Sequence, residues 1–409
     1  MSPDSSVPFL EKFASRLSPV SVFVGIVAGF ALMVLAGRWA GKQNLFGNYQ
    51  RNYPLISPEG YFYPSLNNLT ELVSHLGSKG KILVLVGGNS VLLGVGQKKE
   101  ELWTKELQSL LGPDFAVVNL AFRGAYLTDM GALVAQILSK KYNRLIYVAN
   151  EQSPMRMEPS TGSKTYEYLL WQAEASGKLL KNTPGSKEVR KPVANRGPEM
   201  LSEAALRGYF DYWSHGSDLW NYIGYNYLFT VFNFLRYPPE RFFEPRRNSE
   251  DQIPDIPPIP ERFTFREQSM KILRSILEYS VEKDAKEEFR IKPAVSEAFV
   301  RDAKVAFPDW FKPKTMILLA YDAPYFANQL SKDEHEAYKF AFSEGKSWLQ
   351  KCGYHSVVIG PDLIDEDFAD RDHLTVSGGQ KMARDVAPEI RTMAVELGYL
   401  PRAAAVQSP

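Results

Sequence analysis

One cysteine, Cys352, stands in a chain of 409 residues. That excludes an internal disulfide framework and any zinc site built on several cysteines, and it leaves the compartment unread from redox chemistry. An excess of one charge is missing as well. Lys and Arg number 48 against 47 Asp and Glu, a formal net charge of +1, and the basic residues are spread along the chain. No domain-wide basic field is available to neutralise a row of phosphates, so nucleic acid is not an expected partner. No Lys-Ser or Lys-Thr follows a glycine turn at Walker spacing, and Gly94-Val95-Gly96 is not continued by a third glycine at dinucleotide spacing. No internal repeat of solenoid period is present. Four of the five histidines, His75, His215, His335 and His355, lack a metal-type partner in sequence, with His335 on a charged, solvated helix face. Neither a metal nor a cofactor is expected.

The chain does have length and apolar content: 44% of its residues are hydrophobic, enough for a large core in one domain with an insertion or in two smaller domains. It also has one uncharged run, Pro19 to Gly37 (PVSVFVGIVAGFALMVLAG), which as a helix would extend about 28 Å, close to a bilayer's hydrocarbon thickness. This predicts a single transmembrane anchor. A cleaved signal peptide with Val34-Leu35-Ala36 as its cleavage site is the alternative, although the run is longer than a usual apolar region of that kind. Lys12 and Arg16 flank one side and Arg38 and Lys42 the other, so loop charge does not set the orientation. The tail and anchor are placed at 1–42 and a juxtamembrane linker rich in Asn, Tyr, Gly and Pro at 43–78.

Three short apolar runs follow: Lys81 to Val86, Phe115 to Leu120 and Arg144 to Ala149. Helical patterns at Glu100 to Leu111 and Thr128 to Lys140 separate them. Alternation of strand and helix predicts a parallel sheet with helices on both faces, a three-layer, flavodoxin-like α/β domain of about five strands. The rhythm stops near Gln152 and resumes at Thr315 to Tyr321, with a helix over Lys332 to Lys351 and a strand at His355 to Ile359. The domain is therefore split, its first half at 79–154 and its second at 307–400, with a mostly helical, aromatic-rich insertion at 155–306 and a tail at 401–409. The insertion holds an aromatic stretch from Tyr209 to Tyr237, a Pro-rich spacer at Pro254 to Pro260 and an amphipathic helix around Arg266 to Lys283. The aromatic residues from Leu219 to Leu235 suit the core of a helical subdomain or a face turned to a membrane or a membrane partner. Cys352 reads as a small, partly buried residue at a helix end.

The chemistry-bearing residues sit at strand ends. Gly87-Gly88-Asn89-Ser90 closes the first strand, where glycines permit a tight turn and put a serine hydroxyl at the carboxyl edge of the sheet. Taken alone, such a serine is most often a helix cap. To act as a nucleophile it needs a base in hydrogen-bond reach and a group that orients the base. Asp370-Arg371-Asp372-His373 follows the last strand and precedes a helix beginning near Ser377, which sets a carboxylate three residues before an imidazole on one loop. Asp372 competes for the orienting role, but an adjacent residue's side chain is expected to point away from the ring.

A glycine-flanked serine after the first strand and an Asp-x-x-His before the final helix resemble the first and last blocks of the SGNH (GDSL) hydrolases and acyltransferases. Gly124, after the second strand, and Asn150, in Val148-Ala149-Asn150-Glu151 at the end of the third, resemble the two middle blocks. The resemblance spans Lys81 to Gln152 and Thr315 to about Leu400. It departs from the family where Gly-Asp-Ser-Leu becomes Gly-Asn-Ser-Val and where the third block lacks its glycine and ends in Glu151. It implies Ser90 as nucleophile, His373 as general base and acid, and Asp370 as orienting carboxylate, with the amides of Ser90 and Gly124 and the side chain of Asn150 as oxyanion donors. Anchored proteins of this kind resemble the D-alanine transfer protein and alginate O-acetyltransferase partners. That implies an ester or acylated envelope glycan as substrate, a multi-span membrane acyltransferase as partner, and a periplasmic or extracellular catalytic face. A non-catalytic subunit of the same fold, docked in a membrane assembly through its aromatic insertion, is the alternative.

Overall fold

The computed structural model describes residues 18–42, 74–98, 101–121, 127, 130–151, 261–263 and 266–401. The chain divides into two compact units, one of Met1–Leu45 with Leu206–Pro245, the other of Phe46–Ala205 with Arg246–Pro409. In the first unit the described element is helix α1, Pro19–Lys42. Among the described residues no helix is long and apolar enough to cross a membrane.

The second unit is built on a parallel sheet. Strand β1 (Ile82–Val86) is followed by the short helix α2 (Ser90–Leu93) and by α3 (Trp103–Leu111). Next come β2 (Phe115–Asn119), α4 (Met130–Lys141) and β3 (Leu145–Glu151). Every residue of β1 and β2 is buried, as expected of strands covered on both faces, and this is why they read as unbroken apolar runs rather than alternating ones. After the insertion, β6 (Thr315–Ala320) pairs with β3 and β7 (His355–Ile359) pairs with β6, so the sheet runs β2-β1-β3-β6-β7 with all pairs parallel. Counted within this sheet the order is 2-1-3-4-5, the doubly wound order whose direction of winding reverses between β1 and β3. Right-handed crossovers put α3 and α4 on opposite faces.

The elements between β3 and β6 are α5 (Arg266–Ser280), an antiparallel pair of β4 (Val281–Lys283) and β5 (Phe289–Ile291), and α6 (Pro293–Ala306). The sequence predicts helix through Lys283; the last three residues are instead a strand. Contacts far along the chain decide it. Val281, Phe289 and Ile291 lie against Ala337, Phe340 and Ala341 of helix α8 (Lys332–Lys351), while Asp284 accepts from the amides of Lys286 and Glu288 to close the turn. Helix α6 belongs to the same core: Phe299 is 2% exposed and meets Trp348 and Tyr354 edge-on. Thus the described part of the insertion is packed into the α/β unit. Its aromatic stretch, Tyr209 to Tyr237, and its Pro-rich spacer lie outside the described residues.

Two more helices complete the unit, α7 (Pro324–Ala327) after β6 and α9 (Val376–Glu396) after β7. Helix α9 packs on α3, where Arg391 donates to the free carbonyls of Leu110 and Leu111 at the end of α3. This fixes α9 on the α3 face and gives the three layers. Cys352 forms the C-terminal boundary of α8 and is half-buried, as its position in sequence suggests, with burial raising its thiol.

Candidate active site

Three chain segments meet at the carboxyl edge where the sheet reverses its winding, the usual location of ligand crevices in open parallel sheets. The first is the turn after β1. Gly88 has φ +91°, and a Cβ there would lie 2.4 Å from Asn150 Oδ1, so this position accepts glycine alone. Asn89 is the N-cap of α2, its Oδ1 accepting from the amide of Val91 at 3.0 Å. The capping role open to Ser90 in sequence therefore belongs to its neighbour, and Ser90 Oγ is left for another partner. Asparagine directly before a helix start is a strong capping signal, and it was legible in the sequence.

The second segment is the end of β3. Asn150, 2% exposed, sits in the strand itself, in register with Leu318 of β6. Its Oδ1 accepts from the Asn89 amide at 3.1 Å and its Nδ2 donates to Asn89 Oδ1 at 2.9 Å. The amide carries two N–H groups, so one bond to Asn89 leaves a second donor. Gly124 lies outside the described residues.

The third segment carries His373. A bridge between Phe368 and Leu374 closes the loop, reinforced by bonds from the Ala369 amide to the His373 carbonyl (2.7 Å) and from the Thr375 amide to the Asp367 carbonyl (2.8 Å). Phe368 is fully buried and Leu374 nearly so, and these two apolar anchors hold the half-buried polar residues between them in place. Asp367 accepts from Ser377 and Lys381, both at 2.6 Å, tying the loop to the first turns of α9. From the insertion, Arg262 donates to the Phe368 carbonyl at 2.8 Å; no pattern in the sequence announces this contact.

Within this frame His373 Nε2 is 2.8 Å from Ser90 Oγ and His373 Nδ1 is 2.7 Å from Asp370 Oδ2. The other Asp370 oxygen accepts from the amides of Asp372 (3.1 Å) and His373 (2.9 Å). Burial would raise the Asp370 carboxyl, but the hydrogen bond and charge of His373 together with the two amides outweigh it and hold Asp370 well below the usual carboxylate range. The structure thus brings Ser90, His373 and Asp370 into one hydrogen-bonded line and places Asn150 beside it through Asn89.

Asp372 does not point away from the ring. Its Oδ1 lies 3.3 Å from His373 Nδ1, and its Oδ2 accepts from Arg371 at 2.9 Å. Arg371 in turn pairs with Asp322 at 3.1 Å. Burial pushes the Asp322 carboxyl up to about 6, with Arg371 working against the rise and Asp372 adding to it. Asp370, Asp372 and His373 each bring a ligand-type atom within 4.8 Å of the others.

Of the remaining histidines, His75 is exposed and His355 lies 3.4 Å from Glu396. His335, expected on a solvated face, is half-buried with Nδ1 3.1 Å from the Ala327 carbonyl; His215 lies outside the described residues.

No protein-family model matches this sequence, and no curated protein matches it significantly.

Proposed function

We propose that this protein is a serine ester hydrolase or O-acyltransferase of the SGNH type. One observation carries the reading: the unbroken line from Ser90 Oγ through both nitrogens of His373 to Asp370, with bonds of 2.8 and 2.7 Å, at the carboxyl edge of a doubly wound sheet. In this mechanism the Ser90 O–H bond breaks, its proton goes to Nε2, and the oxygen's electron pair forms the new bond to the acyl carbon. The ring becomes an imidazolium facing Asp370. The carbonyl's electron pair becomes an oxyanion, which the Ser90 amide and the remaining Asn150 N–H stabilise, as would the Gly124 amide by the family resemblance. Collapse returns that pair to the carbonyl, breaks the ester C–O bond and passes the Nε2 proton to the departing alkoxide. Water or an acceptor hydroxyl then repeats the sequence on the acyl-enzyme. Because the triad geometry is retained, it favours this reading over a non-catalytic subunit.

The membrane setting belongs to the same proposal. Nine of the thirteen exposed large apolar side chains among the described residues are on α1, including Phe23 at 67%, Ile26 at 65% and Leu35 at 62%. A helix apolar on all sides is stable in lipid and costly in water. We read α1 as the anchor, the catalytic face as periplasmic or extracellular, the substrate as an acylated envelope glycan, and the partner as a multi-span acyltransferase; all but the anchor rest on the resemblance alone. The deciding experiment is labelling by a fluorophosphonate, which a triad-activated serine attacks and a capping serine does not. Wild-type protein should be labelled on Ser90, with labelling lost in Ser90→Ala and greatly slowed in His373→Ala. A well-folded wild type that stays unlabelled would end the enzyme reading.

A further inference from the structure

We infer that two carboxylates, Asp370 and Asp372, share the orientation of His373, and that Arg371 with Asp322 forms the clamp that holds the second of them against the ring. The inference rests on the triad reading. Both acidic groups lie against the same nitrogen, Asp370 at 2.7 Å and Asp372 at 3.3 Å. They differ in setting. The Asp370 side chain is 49% exposed, whereas Asp372 and Arg371 are 16% and 14% exposed and Asp322 is 9% exposed. A charge withdrawn from water acts through a lower effective dielectric, so the more distant carboxylate is the less screened one.

The clamp is anchored at both ends. Arg371 Nε pairs with Asp322 Oδ1 and Nη2 with Asp372 Oδ2, while the Arg371 carbonyl accepts from the Ala323 amide at 2.7 Å. Asp322 is itself fixed by Tyr338, whose hydroxyl accepts from the Asp322 amide at 2.8 Å and lies 3.3 Å from its Oδ2. The carboxylate of Asp372 is thereby held in place before any substrate arrives. When the Ser90 proton moves to Nε2, the positive charge on the ring meets two anions rather than one. Asp372 is in this sense a positioning residue, acting through His373. Among the described residues the ionisable groups set against the ring are Asp370, Asp372 and Ser90, and those behind Asp372 are Arg371 and, beyond it, Asp322 and Tyr338.

The test is the rate of Ser90 labelling by a fluorophosphonate as a function of pH, with thermal melting of each variant alongside. Removing one anion from a ring that must be neutral to accept the serine proton lowers its proton affinity. In Asp372→Asn the acid limb should therefore move to lower pH, by about half a unit or more, and the plateau should fall about tenfold because the imidazolium is less stabilised. In Asp370→Asn, the remaining carboxylate should keep labelling at least about tenfold above that of His373→Ala. A limb that stays put in Asp372→Asn, whether or not the plateau falls, would overturn the shared role while leaving the triad intact. Equal rates in Asp370→Asn and His373→Ala would do the same, and this arm leaves Asp372 and its clamp untouched if Asp372→Asn folds poorly. A wild type with no labelling would overturn the triad itself.

Discussion

Asn150 and Asn89 hold each other by two hydrogen bonds running in opposite directions, Asn89 N–H to Asn150 Oδ1 and Asn150 Nδ2 to Asn89 Oδ1. The backbone amide can only donate, so it fixes which way the Asn150 side chain is turned and keeps its NH2 group on the side of Asn89 and the serine turn. Asn150→Asp keeps the shape and removes the donor. Turnover of a small ester should fall by roughly a hundredfold or more, the cost of one oxyanion donor at about 3 kcal/mol, measured below the melting temperature of the variant, which a buried acid facing Asn89 Oδ1 also lowers. An unchanged rate would take Asn150 out of the site.

The same pair explains the glycine before it. At Gly88 a side chain would meet both a positive φ and the buried Asn150 amide. Gly88→Ala should cost about 1–3 kcal/mol of stability in a denaturant melt and slow Ser90 labelling at least tenfold. Full labelling with native stability would show that the turn adapts.

Two buried carboxylates should give opposite pH signatures. Asp367 is 1% exposed; burial raises its carboxyl, but the hydrogen bonds from Lys381, Ser377 and the Ile364 amide prevail and lower it. Its contribution is present above the unfolded value of about 3.9 and is lost as pH falls through the lower folded one. Asp322 is raised to about 6. Its contribution is present below about 3.9 and is lost as pH rises through 6, on the order of 3 kcal/mol in all. Urea melts across pH 3 to 8 should therefore show Asp367→Asn deficient at neutral pH and converging on wild type in acid. Asp322→Asn should lack the wild-type decline between about pH 4 and 6. Parallel curves for wild type and both variants would contradict the assignments.

Exposed apolar side chains along α1 give a further expectation. Full-length protein should partition into detergent or lipid vesicles, and removal of the first 42 residues should release it into buffer with the Ser90 labelling rate unchanged, since the triad lies wholly in the other unit. Equal partitioning of both forms would place the membrane contact elsewhere.

Much of the architecture is local and was therefore legible. Buried parallel strands such as Ile82–Val86 are continuous apolar runs because both faces are covered, and Ser331 with Glu334 marks the start of α8 by a capping box formed within four residues. Spacing alone put Asp370 within reach of His373, and the alternation of strands and helices set the sheet parallel. What the sequence could not decide depends on residues far apart in the chain. Whether Val281 ends a helix or begins a strand is settled by Ala337 and Ala341 of α8, more than fifty residues on. That Ser90 Oγ meets an imidazole is decided by His373, 283 residues away. Asp372 turns toward the ring because Arg371, held by Asp322 and the Ala323 amide, leaves it there. Local sequence determined which groups were available, and long-range packing determined which of them face one another, because a side chain's direction is set by the contacts the whole fold closes around it.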